Sequence, residues 1–135
     1  MLKKIRIETT LVTAGENGDD VIRTCAEGTC VVGESGLMLR YPEPENNGLV
    51  ELLLADSLAD LKRNGDTCSR MTFIDARMLP CIYQTPHGPL PMSIYTHEQS
   101  FAVNAAGGRF QTRYALMIDG RHTADNTLTV EWHFL

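Results

Sequence analysis

Residues 109–118 read Arg-Phe-Gln-Thr-Arg-Tyr-Ala-Leu-Met-Ile, Asp119-Gly120 follows, and residues 127–135 read Thr-Leu-Thr-Val-Glu-Trp-His-Phe-Leu. In the later run Leu128, Val130, Trp132 and Phe134 share one phase, while Thr127, Thr129, Glu131 and His133 share the other. A period of two sends alternate side chains to opposite faces of a strand, so these runs predict a half-buried antiparallel pair.

The alternation recurs upstream. Lys3 to Thr13 sets Ile5, Ile7, Thr9 and Leu11 against Lys4, Arg6, Glu8 and Thr10, a long first strand with its charge on the solvent phase. The loop from Gly15 to Asp20 is rich in residues that tolerate positive φ or form Asx turns. Val21 to Val32 is a second strand, and the glycine at Glu27-Gly28 suggests a bulge or sharp bend. Gly33 to Gly36 is a turn, Leu37 to Tyr41 a short strand, and Pro44 to Gly48 a solvated loop. Leu49 to Gly65 has two readings. Leu54, Leu58 and Leu61 stand at helical spacing, but Val50, Leu52 and Leu54 alternate, and Asp56-Ser57 can turn the chain back along Leu58 to Arg63. The surroundings favour the hairpin. Asn64-Gly65 is a turn signal leading into a strand from Thr67 to Asp75.

Leu79 to Thr85 and Leu90 to Glu98 flank a turn at Pro86-His87-Gly88-Pro89. Phe101 to Asn104 is a strand or a linker, and Ala105 to Gly108 a loose turn. About eight to ten short strands at such spacing predict an all-β fold with little or no helix, an antiparallel, strongly curved β-barrel spanning residues 1–135 as a single domain. Closure hides the sheet edges, and a barrel of about eight strands is filled by side chains or holds one small ligand.

Three patterns, Leu39-Arg40-Tyr41-Pro42-Glu43-Pro44, Tyr83-Gln84-Thr85-Pro86-His87-Gly88 and Tyr114-Ala115-Leu116-Met117-Ile118-Asp119-Gly120, occur in this order along the chain. In order and spacing they resemble the YwiB-like family of uncharacterised bacterial proteins, a domain of unknown function (DUF1934), over essentially the whole chain. The resemblance implies a calycin-like β-barrel, related in shape to lipocalins. The departures are His87, where an aromatic residue is expected in the Thr-Pro-x-Gly turn, and the leucine-rich Leu52 to Leu61. The family brings no substrate or catalytic residues, so none are carried over.

Composition narrows the function. The formal charge of −5 speaks against nucleic-acid binding, which rests on clustered Lys and Arg neutralising phosphates. The opening Met-Leu-Lys-Lys-Ile-Arg-Ile-Glu has no apolar run behind its charge, so a signal peptide is not expected. No stretch reaches the roughly 18 apolar residues of a membrane span. A cytoplasmic protein follows by elimination. Cys25, Cys30, Cys68 and Cys81 contain no Cys-x-x-Cys pair, and Cys25 and Cys30 face opposite ways on one strand, so free thiols are expected.

Candidate chemistry is sparse. Arg40, beside Tyr41 and Glu43, either clamps a ligand carboxylate at the barrel mouth or pairs with Glu43 and fixes the proline loop. The ion pair is the plainer reading. Thr112 and Tyr114 share the phase of Phe110, Leu116 and Ile118, taken as inward. A hydroxyl in an apolar lumen needs a partner, which a ligand, an ordered water or a backbone carbonyl can supply. His87, His97, His122 and His133 lack ligand spacing, so no metal is expected, and no cofactor is, because no nucleophile elbow or phosphate loop occurs. The expectation is a small barrel that binds a small apolar or amphipathic molecule through Arg40, Tyr41, Thr112 and Tyr114 without catalysis. A protein-interaction module with a filled core is the alternative, and a small hydrolase or isomerase stands behind both. A homo-oligomer is not indicated.

Overall fold

The hairpin of β10 (Gly107–Ile118) and β11 (Arg121–Phe134) organises the structure, a computed structural model describing residues 1–135. Asp119 and Gly120 make the whole connection, with φ of 52° and 77°, because Ile118 already pairs with Arg121. Positive φ at both central residues matches the twist of the flanking strands. β11 therefore starts at Arg121, six residues ahead of the alternation that announced it at Thr127. A register shift between Leu116 and Met117 accounts for the blurred pattern there.

β1 (Leu2–Thr13) pairs with β11, and β2 (Asp20–Val32) pairs with β1. β3 (Gly36–Glu43), β4 (Gly48–Ala55), β5 (Leu58–Asn64) and β6 (Cys68–Phe73) follow as antiparallel neighbours. β6 then pairs with β7 (Met78–Thr85), β7 with β9 (Met92–Val103), and β9 with β10, which closes the ring. β8 (Gly88–Pro89) only extends the turn after β7. The result is a closed antiparallel barrel of ten strands, as the alternation predicts, with one 3-10 turn at Pro44–Asn46 and no α-helix. Leu49 to Gly65 is the hairpin of β4 and β5, with Ala55 opposite Leu58 across Asp56-Ser57.

Several local expectations are corrected. Gly28 is no bulge, since β2 keeps unbroken register with β1 from Leu2 to Thr13. It is a close approach, where a Cβ would run into the Arg40 carbonyl and Tyr41. Gly107 and Gly108 belong to β10, opposite His133 and Trp132, and the turn before them is held by Asn104, whose Oδ1 accepts from the amides of Ala106 and Gly107. Leu90 precedes β9 and is 40% exposed, so Met92 opens that strand. The loop at Pro44–Gly48 is not wholly solvated, because Asn46 is buried and its amide bridges both backbone groups of Thr67 at 2.8 Å.

Inside, Trp132, Phe73, Phe110, Ile5, Ile7, Leu39, Leu52, Leu54 and Ile94 are all fully buried. They sit on the inward phase of seven strands, so the period of two becomes one apolar cluster. Burying each such side chain contributes about 1.5–3 kcal/mol, which stabilises the ring against the entropy of ordering it.

Candidate functional site

The barrel has two ends. One carries the Asp56-Ser57 turn, Phe73 and Val103, and the other carries Glu43, Asn64 and Ile118. The wall has a weak seam near the first. β6 shares only three residue pairs with β7, all toward the second end, and beyond Phe73 the chain crosses to β7 through Ile74–Arg77. Gln99 of β9 bridges this seam, its Nε2 donating to the Phe73 carbonyl at 2.9 Å.

Gln99 faces inward because β9 changes phase. Arg113 pairs with Glu98 but Tyr114 with Thr96, so His97 is an extra residue. Ile94 and Thr96 point in before that bulge, and Gln99 and Phe101 after it. Beside Gln99 opens a cleft of about 230 Å³, lined chiefly by Leu54, Leu58, Ala59, Gln99, Phe101 and Phe110. Asp56 is its one ionisable wall residue. Gln99 Oε1 is buried and accepts no hydrogen bond from the protein.

A polar stripe continues inward. Thr112 lies opposite Gln99, and Tyr114 lies between Thr96 and Asn126 on its neighbouring strands. Asn126 Nδ2 donates to the Tyr114 hydroxyl at 3.3 Å. Thr96 Oγ1, Thr112 Oγ1 and Asn126 Oδ1 have no protein partner. Burying such groups unpaired costs about 1–3 kcal/mol each, so these atoms are the polar groups of the interior that need a partner.

The four residues singled out in the sequence part company. Thr112 and Tyr114 stand together in the stripe, and the Tyr114 ring packs on Phe73 at 5.0 Å between centroids. Burial pushes the Tyr114 phenol up, and the bond from Asn126 partly opposes this. Tyr41 is buried toward the second end, where burial first and Glu43 next hold its phenol well above the ordinary value. Arg40 lies on the outer face, about half exposed and 3.9 Å from Glu51. It pairs with neither Glu43 nor the lumen. Glu43 is taken by Arg63, whose Nε donates to both carboxylate oxygens at 3.1 Å. Arg63 shares the inward phase of Ala59 and Leu61 and acts electrostatically on both phenols.

Burial raises the Cys30 thiol and pushes Cys81 up to about 11, which favours the unreactive neutral form. Cys25 and Cys68 are exposed and free. The four histidines are exposed, and no three His, Cys, Asp or Glu side chains converge to hold a metal ion.

The profile of a family described as "Domain of unknown function (DUF1934)" matches residues 5–130. Among solved structures, one titled "Crystal structure of ywiB protein from Bacillus subtilis" superposes with a TM-score of 0.89 at 15% sequence identity, covering 99% of this chain and 93% of that one. At such identity the likeness speaks for the fold alone. No curated protein matches the chain.

Proposed function

The chain belongs to the DUF1934 family, and from that premise we propose that it is a cytoplasmic binding protein for a small, partly apolar molecule carrying a hydrogen-bond donor. One observation carries the reading: Gln99 Oε1 is an unpartnered acceptor in a cleft walled by Leu54, Leu58, Phe101 and Phe110. Apolar walls with a few convergent polar atoms are the common make-up of small-molecule sites. At about 230 Å³ the cleft falls below the roughly 300–1,000 Å³ of drug-sized sites, so the ligand is fragment-sized. Thr112 is the next acceptor inward, opposite Gln99. Binding without catalysis fits a wall with one ionisable residue, since proton transfer calls for positioned acid and base groups. The exposed thiols of Cys25 and Cys68 suit a reducing compartment.

Native mass spectrometry of the chain purified gently from its own cells tests this. A stoichiometric small-molecule adduct, lost when Leu58→Trp fills the cleft, is the expected result. As an independent probe, indole should shift the methyl resonances of Leu54 and Leu58 in the original chain and not in Leu58→Trp. A bare mass together with no response to indole removes the proposal.

A further inference from the structure

β2 outruns its neighbour on one side. It pairs with β1 from Asp20 opposite Thr13 to Val31 opposite Leu2, but with β3 only over Thr29 to Val32. β3 leaves it for a physical reason: Pro42 has no N–H to give, and the chain soon enters the 3-10 turn at Pro44. Residues 20–27 of β2, short of the close approach at Gly28, therefore form an open sheet edge inside an otherwise closed barrel. Such edges are ordinarily blunted by proline, lysine or a bulge. This one has none of these; its protection is the charge of Asp20, Arg23 and Glu27, and it carries Val21 and Ile22 at 47% and 59% exposure.

Its charges close no ion pair within 4 Å, although Arg6 of β1 lies across from Glu27. Arg40, Arg63, Arg70 and Arg113 each have an acidic partner within 4 Å, whereas neither Arg23 nor Glu27 is in an ion pair. Both are exposed on the outer face, on either side of Cys25.

We propose that two copies of this chain pair through this edge, antiparallel about a two-fold axis at Cys25, so that Arg23 of each copy lies opposite Glu27 of the other. A two-fold axis normal to the sheet keeps outer face beside outer face, so it must pass at a residue and not between two. At Arg23 it would oppose like charges, which destabilises a cross-strand pair. At Thr24 it would set Arg23 against Cys25 and Val21 against Glu27, leaving both charges unmatched. At Cys25 both charges are answered twice. A strand of another protein would have no need for Arg23 and Glu27 to complement each other. The paired stretch is short against the roughly 1,600 Å² of a standard interface, so the dimer is a reversible one.

Sedimentation velocity of the full chain, from micromolar to millimolar concentration, tests the pairing. The expected result is a monomer–dimer equilibrium that Arg23→Glu weakens by about tenfold or more, from lost pairs plus new repulsion. Glu27→Arg should do the same, and the double exchange R23E/E27R should restore the dimer. Both positions are exposed, and thermal unfolding of each variant checks that it folds, Glu27→Arg above all because Arg6 lies opposite. Diamide, which takes two hydrogens from two thiols, should link the copies through Cys25, because opposed residues on paired strands lie within disulfide reach. That link should survive Cys68→Ser and vanish in Cys25→Ser. A chain monomeric throughout, a dimer indifferent to R23E, or a link retained in Cys25→Ser would each overturn the proposal.

Discussion

Gly108 lies against the indole of Trp132: the two are paired across β10 and β11, and a Cβ on Gly108 would overlap ring atoms Cζ2 and Cε2. Trp132 is fully buried in the apolar cluster, where close packing leaves the ring little room to yield. Gly108→Ala should therefore cost about 1–3 kcal/mol through overpacking, read as a lower urea midpoint at unchanged m. Gly18→Ala, where nothing stands near the Cβ, isolates the contrast. It pays only for its positive φ, and a larger loss there than at Gly108 would contradict the packing account.

Asn46 acts as a surrogate strand residue, donating to the Thr67 carbonyl and accepting from the Thr67 amide, both at 2.8 Å. Asn46→Ala strands two backbone groups and should destabilise by about 2–4 kcal/mol. Asn46→Asp keeps the acceptor but turns a buried carboxylate oxygen against the Thr67 carbonyl, so it should cost at least as much as alanine. Amide exchange at Thr67 should quicken in Asn46→Ala, which removes its acceptor, and much less in Asn46→Asp, which retains it. Protection unchanged in Asn46→Ala would refute the role.

Tyr114 and Asn126 form a buried pair whose amide carbonyl has no partner. Tyr114→Phe leaves the whole Asn126 amide unsatisfied and should cost about 1–2 kcal/mol. Asn126→Leu replaces that amide with an apolar group of similar size. Combined with Tyr114→Phe, it should recover part of the loss, giving a non-additive double-mutant cycle. Strict additivity would mean that the bond at 3.3 Å contributes nothing.

Stability should fall in alkali. The buried Cys81 thiol is pushed up to about 11 from an ordinary 9.0, so the folded chain keeps a proton that the unfolded chain releases. The stabilisation is complete below about pH 9 and is lost as pH rises towards 11, at most about 3 kcal/mol from this group. Tyr41, Tyr114 and Cys30 shift in the same direction. Urea midpoints between pH 8 and 11 should decline, and Cys81→Val should flatten the part of the slope owed to the thiol. A profile identical in that variant would assign the decline to the phenols.

The barrel was legible because most strands bury only one face, and such burial writes a period of two into the residues themselves. Leu128, Val130, Trp132 and Phe134 do this without interruption, as do Val50, Leu52 and Leu54. Half of the polar stripe was legible too, since Thr112 and Tyr114 keep step with Phe110. Gln99 was hidden because the bulge at His97 inverts the phase of β9 midway. Asn126 stayed outside the recognised strand because the alternation becomes clear only from Thr127. Arg63 keeps step with Leu61, but its charge disguises an inward position in the sequence. Arg40 drew attention by its neighbours in the chain, and the phase that buries Leu39 and Tyr41 turns it out.

By itself the sequence determined the strands, their inner faces and the need to close, because each of these follows from local alternation and the cost of an open edge. The tertiary structure alone decided which polar atoms meet inside, that Gln99 seals the seam beside a cleft, and that β2 keeps one edge free. Those outcomes depend on register between strands distant in the chain, and a single bulge or proline resets that register without altering composition or overall pattern.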